Sequence, residues 1–240
     1  MPNVTAGIVT DLAPAGVLRA ALNLNNPVLV QGTPTAPAGV SVDLAHEVSA
    51  RLGVPVEFRC FGGARDSFRA TVAGQTDICF LAIEPARAAE IAFTAPYVLI
   101  EGVYAVPLES PLSTVSAVDS AGVRIGVKEG SAYDLFLTRT LSHATVIRSA
   151  IEGTEAFVTG NLEAAAGVRE PMTEFVAAHP AYRLIEGRFM EIPQAVGTAN
   201  TKRGETTRFL HDLVEELKAS GFVADALRRS GQTAPVAPPG

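Results

Sequence analysis

"DICFLAIEPARAAEIAFTAPYV", residues 77–98, opens with an unbroken apolar run, Ile78 to Ile83, and stops it at Glu84, Pro85 and Arg87. A short apolar run ended by a proline reads as a buried strand. Pro85 suits the first turn of a helix, where its missing N–H costs nothing, so "EPARAAEIAF" reads as the helix that follows. "APYVLIEGVYAVP" (95–107) then reads as a long strand. Arg87 has two readings on spacing alone: a guanidinium that holds a ligand, or a partner for Glu84 or Glu90 near a helix start.

The same rhythm runs outward in both directions. Upstream, "LRAALNLNNPVLV" is an apolar strand broken by Asn23, Asn25, Asn26 and Pro27. "GVSVDLAHEVSARLG" follows as a helix, with Asp43 as its cap, Leu44, Val48 and Leu52 on one face, and Gly53 as its stop. "VPVEFRC" alternates as a half-buried strand, and "FGGARDSF" leads into a short helix with Phe68 and Val72 on one face. Downstream, "ESPLSTVSAVDSAG" is a serine-rich connector. "GVRIGVKEGSAYDLFLTRTL" gives strand, Gly130-Ser131 turn and helix, and "ATVIRSA", "IEGTEAFVTG" and "LEAAAGV" give strand, helix and strand. "EPMTEFVAAHP" is a helix with Pro171 near its start, "YRLIEGRF" and "MEIPQAVGTAN" are strands, and two amphipathic helices close the chain. The proline-rich "QTAPVAPPG" is expected to be disordered. No internal sequence repeat is visible.

Composition narrows the function. The 240 residues carry 19 basic and 25 acidic side chains, a net charge of −6 without a block of like charge. That disfavours nucleic acid and anionic membrane surfaces as partners. No run of 18 apolar residues exists, so membrane insertion is not expected. The start, "MPNVTAGIVTDLAPAG", lacks the basic opening and apolar centre of a secretory signal, so the chain as written is expected to be cytoplasmic, or periplasmic or extracellular if a leader was removed. Cys60 and Cys79 read as buried small hydrophobes rather than a disulfide. No metal-ligand cluster, phosphate loop or nucleophile motif is present, and no cofactor is expected.

Alternating strands and helices imply mostly parallel sheets, whose ligands bind in loops beyond the carboxyl ends of the strands. The candidate loops are Asn23–Asn26, Phe61–Arg65, Ile83–Arg87, Gly130–Tyr133 and Ala166–Arg169.

Six segments in order, "LRAA", "GVSVDLAHEVSARLG", "RDSFRATVAGQTD", "EPARAAEIAFTAPY", "GVRIGVKEGSAYDLF" and "EELKASGF", resemble the motifs of the extracytoplasmic solute-binding proteins of family 3, the receptors that deliver polar amino acids to ABC importers. The resemblance covers roughly residues 17–230. It implies an α/β, two-lobed type II periplasmic-binding-protein fold, each lobe a mostly parallel sheet flanked by helices, with a two-strand hinge that closes on a ligand. Lobe one is expected at 14–99 plus 195–232, lobe two at 103–190, the hinge at 100–102 and 191–194, and a disordered tail at 233–240. A monomer and, if exported, an ABC transporter permease as partner are also implied.

By the same resemblance Arg87 stands where family members fork a guanidinium onto the ligand's α-carboxylate. Gly130 and Ser131 stand at the family's "G-S" turn, where backbone N–H groups and a hydroxyl hold an anion; capping by Ser131 is compatible with that role. Tyr133 and Asp134 are placed in the next turn, with Tyr133 either lining the site or in the core. Departures are equally informative. Glu84 replaces a threonine, and the serine/threonine run before it is about two residues shorter. Asn23 stands near an acidic position and Asn26 near an aromatic one. Val168 stands at or next to the aspartate that receives the ligand's ammonium, with Glu170 the next carboxylate. Arg65 and Arg169 border the expected site, or are solvated surface arginines.

The expectation is a receptor for a small polar, carboxylate-bearing ligand, with Asn23, Asn26, Arg65, Glu84, Arg87, Gly130, Ser131, Tyr133 and Arg169 as site residues. The alternatives are an enzyme on the same fold, such as a cyclohexadienyl-dehydratase-like lyase with Glu84 as its weak catalytic candidate, and a cytoplasmic metabolite sensor.

Overall fold

The computed structural model describes residues 4–240; the first three residues of the segment read for a leader lie outside the described residues. In chain order the elements are α1 (Ala6–Leu12), β1 (Leu18–Asn23), β2 (Gln31–Thr33), β3 (Ala36–Ala38), α2 (Val40–Leu52), β4 (Val56–Phe61), α3 (Ala64–Val72), β5 (Ile78–Ala82), α4 (Pro85–Ala88), β6 (Ile91–Phe93) and β7 (Val98–Pro107). After a short 3-10 turn at Val115–Val118 come β8 (Arg124–Lys128), α5 (Ala132–Thr140), β9 (Thr145–Ser149), α6 (Gly153–Thr159), β10 (Ala164–Val168), α7 (Arg169–Ala178), β11 (Tyr182–Leu184), β12 (Met190–Ala199), α8 (Gly204–Ala219) and α9 (Phe222–Arg229). The chain forms two compact units, 1–99 with 193–240, and 100–192.

In the first unit, β4, β1 and β5 are parallel neighbours, and residues 194–197 of β12 run antiparallel to β5. Residues 77–98 are more finely divided than their periodicity suggests. Only Pro85–Ala88 is helical, and Ile91–Phe93 turns back as a strand on β12. Ile91 is buried in that sheet and Phe93 partly so, an instance of tertiary context overriding propensity. Ile91, Cys79, Leu81 and Ala21 share one core cluster under Phe68 and Val72 of α3. The register of β1 against β5 is pinned by Asp77, whose carboxylate accepts the backbone N–H of Arg19 at 2.8 Å and two guanidinium hydrogen bonds at 2.9 and 2.7 Å.

Two sequence expectations are corrected here, and one helix is added. α2 begins at Val40 after Gly39, so Asp43 is a first-turn residue, not the cap; its carboxylate meets Arg229 at 2.7 Å. Residues 6–12 form a helix whose Asp11 accepts the Arg203 N–H at 3.0 Å and the Thr206 hydroxyl at 2.6 Å, capping the start of α8. The C-terminal tail is not disordered. Leu99 donates to the Pro235 carbonyl at 3.0 Å, Ala237 donates to that of Tyr97 at 3.1 Å, and Ala234 and Ala237 are buried. Proline costs nothing on an edge segment that needs few N–H donors, so its density did not prevent pairing.

In the second unit β9, β8 and β10 are parallel neighbours, and β7 pairs antiparallel with both β10 and β11. The carboxylate clasp recurs: Glu163, just before β10, accepts the Arg124 backbone N–H at 2.8 Å and its guanidinium at 2.9 Å. α6 lies directly on β8, because a Cβ at Gly126 would come within 2.4 Å of the Gly153 carbonyl oxygen. Phe157, Leu162, Met172 and Val103 form the core beneath.

Candidate functional site

In the first unit three parallel strands end side by side, and their exits carry Asn23 and Asn26, Arg65, and Glu84 with Arg87. β1 ends at Asn23, whose side-chain oxygen accepts the Asn25 N–H at 3.1 Å and so folds the loop back. Asn26 then starts a turn, its carbonyl accepting from Leu29 and Val30, each at 3.0 Å. Its side-chain oxygen is buried without a hydrogen-bond partner among the described residues. That is an acceptor held ready for a donor, since an unpaired buried polar atom costs roughly 1–3 kcal/mol. Arg65 sits in the first turn of α3, about one-third exposed and 3.9 Å from Asp66.

Glu84 occupies the position before α4, but its side chain makes no capping bond. It is 2% exposed, and Arg87 is 3% exposed. One Arg87 Nη1 donates to the Ala82 carbonyl at 3.2 Å. Burial pushes the Arg87 pKa down to about 10, against which the charge of Glu84 pulls it back up. At neutral pH the guanidinium is therefore charged, with Glu84 as a nearby counter-charge. The two readings of Arg87 are compatible: a fork with five N–H donors can lie beside one carboxylate and still present donors elsewhere. Cys79 lies close enough to feel the same charge, yet its buried thiol is pushed up to about 12 by desolvation, which leaves it inert. Both cysteines are free.

In the second unit the exits of β8 and β10 carry Gly130, Ser131 and Tyr133, and Val168 with Arg169. Gly130 has φ +72, a left-handed conformation that glycine adopts without penalty. Its N–H donates to the Asp134 carboxylate at 2.8 Å, and the Asp134 N–H donates back to Ser131 Oγ at 3.0 Å. Asp134 also accepts from Arg148 Nε at 2.9 Å. The Gly130 N–H is thus committed to an internal carboxylate, and Ser131 caps α5. Asp134 is the organiser of this turn, and the Ser131-x-x-Asp134 spacing, a capping-box pattern, was the signal for it. Tyr133 is 8% exposed and packed inside; burial raises its phenol pKa well above the usual value.

Arg169 opens α7 and is held by Glu101, while its Nη2 donates to the Gly187 carbonyl at 2.7 Å. Glu101 also accepts from Arg188 at 2.7 Å. Arg188 and Arg169 hold the Glu101 carboxyl below its ordinary range despite partial burial. Glu101 and Arg188 carry no local motif, and sequence reasoning missed them. Glu170 leaves one buried carboxylate oxygen without a partner among the described residues. Among the described residues no group of three or more His, Cys, Asp or Glu could hold a metal ion, and no helix is long and apolar enough to cross a membrane.

The sequence matches the bacterial extracellular solute-binding proteins, family 3, over residues 18–231. The chain belongs to that family. Its fold is the type II periplasmic-binding-protein fold. It is similar to a mutant of ArgBP from T. maritima, with a TM-score of 0.76 and 20% identity over 93% of this chain and 99% of that one. It is similar as well to the amino acid ABC transporter substrate-binding protein AbpA from Streptococcus pneumoniae bound to L-arginine, at TM-score 0.75 and 17% identity over 91% and 96%. A third similar structure is the ancestral amino-acid-binding protein AncCDT-1, a precursor of cyclohexadienyl dehydratase, at TM-score 0.74 and 18% identity over 93% and 99%. No curated relative matches the chain at a significant level. α1 lies ahead of the matched residues.

Proposed function

We propose that this family member is a receptor for a small polar organic ligand bearing a carboxylate, and that Arg87 receives that carboxylate. The observation that carries the reading is the placement of Arg87: a charged, nearly fully buried guanidinium just beyond the end of a central parallel strand. Its planar fork suits two parallel charge-assisted hydrogen bonds. Glu84 makes the pair formally neutral, which favours a ligand that brings a donor group together with its carboxylate. The unpartnered Asn26 oxygen supports the same point, as an acceptor for a ligand N–H. That division of labour suits a chain in which Val168 stands at or next to the position where the family resemblance implies an aspartate. In an exported protein the partner of the loaded receptor is an ABC permease.

Thermal-shift screening of amino acids, aromatic acids and simple carboxylates tests the reading. A ligand that binds only the folded chain at 100 times its Kd stabilises it by about 2.7 kcal/mol. Zwitterionic hits lost in Arg87→Ala support it, and an affinity unchanged by Arg87→Ala overturns it. One observation favours a second reading, a lyase on the same fold: Glu84 is a buried carboxyl beside Arg87. Turnover of a hit, abolished in Glu84→Gln while binding persists, would establish that reading.

A further inference from the structure

The second unit holds a cavity of about 590 Å³ that none of the candidate site residues lines. Val123 and Leu162, which lead into β8 and β10, line it, so it opens at the amino ends of those strands. Gly130, Ser131 and Arg169 follow the carboxyl ends of the same strands, at the opposite pole of the unit. The volume lies within the roughly 300–1,000 Å³ usual for small-molecule sites.

The floor is aromatic and aliphatic: Phe157 packs on Tyr182 with ring centroids 4.8 Å apart, and Leu162 lies beside them. One wall is the 107–112 stretch, which includes the start of the serine-rich connector. Arg183 clasps that wall, donating from Nε to the Leu108 carbonyl at 3.1 Å and from Nη2 to the carbonyls of Ser110 and Leu112 at 3.0 and 2.9 Å. A guanidinium that binds three alternate loop carbonyls, of Leu108, Ser110 and Leu112, makes a shaped wall out of a segment that continues past the end of β7.

The charge lining the cavity has one sign. Glu109 and Glu163 line it, and among the described residues no lysine, arginine or histidine does. Arg124 occupies Glu163 with two guanidinium hydrogen bonds of 2.9 Å, whereas Glu109 is exposed and has no ion pair among the described residues. We propose that this cavity is a second ligand site, separate from Arg87, for a small amine with an aromatic or branched apolar body. The body rests on Phe157, Leu162 and Tyr182, and the ammonium meets Glu109. The like charge of Glu109 disfavours the simple carboxylates to which Arg87 is matched.

2-Phenylethylamine is the probe and phenylacetate its charge-reversed control, titrated into the isotope-labelled full chain and followed by backbone amide NMR shifts. The expected result is saturable movement at Gly122, Val123 and Leu162, no movement at Glu84 and Arg87, and affinity for phenylacetate lower by about tenfold or more. Ala121→Trp, at an exposed position of the lining, abolishes the movement while the rest of the spectrum is retained. Glu109→Arg, on the exposed loop, reverses the preference between the two probes and serves as the independent variant. Absence of saturable shifts, equal affinity for both probes, shifts confined to the Arg87 loops, or amine binding unchanged in Glu109→Arg each overturns the proposal.

Discussion

Glu84 and Arg87 stand three residues apart at the end of β5, exposed to only 2% and 3%, and the charge of Glu84 offsets part of the burial that pushes the Arg87 pKa down to about 10. Removing one member of such a pair is costlier than removing both, because the survivor keeps its desolvation penalty without its counter-charge. Arg87→Met is expected to lower the free energy of unfolding by about 3 kcal/mol, and Glu84→Gln/Arg87→Met to recover more than half of that loss. Urea denaturation of the three proteins checks it; a double variant no more stable than the single one refutes the coupling.

Ser131 makes a cap bond at 3.0 Å, so Ser131→Ala is expected to cost about 1 kcal/mol of stability. Ser131→Asp supplies an equivalent acceptor and should restore most of it. If the hydroxyl also touches the ligand, Ser131→Asp recovers the melting temperature but not the affinity, a split that calorimetry resolves.

Glu101 gives the pH dependence its sign. Its folded pKa is depressed below 4.5, first by Arg188 and further by Arg169. The unfolded chain therefore takes up the proton first as pH falls, and the contribution of Glu101 is fully present above the ordinary carboxylate range and lost progressively below it. Glu101→Gln should lower the melting temperature at pH 7 and flatten its fall between neutral pH and the acid limb. An acid limb of unchanged slope would show that other carboxylates govern it.

Deleting residues 233–240 removes two backbone hydrogen bonds to Tyr97 and Leu99 and uncovers Tyr97 and Val98, both fully buried. The expected loss is about 2 kcal/mol from the hydrogen bonds alone, given net values near 1 kcal/mol each. A truncated chain with the melting temperature of the full one would contradict the docking of the tail.

The helices and strands with long apolar periodicity were legible residue by residue. α8, with Phe209, Leu210, Leu213, Val214 and Leu217 buried along one face, is the plainest case. Most of the shortest elements were not: β2, β3 and β6 have three residues each, too few for a period to register, and of the three-residue strands β11 alone fell in a segment read as a strand. The candidate loops were legible because parallel strands place their exits together, whereas the partners inside those loops were not. Gly130 was read as an anion donor, and its N–H is given to Asp134. Arg169 was read at the border of the site, and it is held by Glu101, 68 residues earlier in the chain.

By itself the sequence determined the alternation of strand and helix, the resemblance to the family, and Glu84 as a departure from the family's pattern three residues before Arg87. Periodicity and motif order are local properties, set by the pleat of a strand and the turn of a helix. Tertiary structure alone decided that Arg87 is buried beside Glu84, that Asp134 commits Gly130, that Asp77 and Glu163 clasp Arg19 and Arg124, and that an apolar cavity lies under the 107–112 loop. Each of these depends on which distant groups share a low-dielectric space, where every donor and charge must find a partner, and sequence spacing carries no record of that.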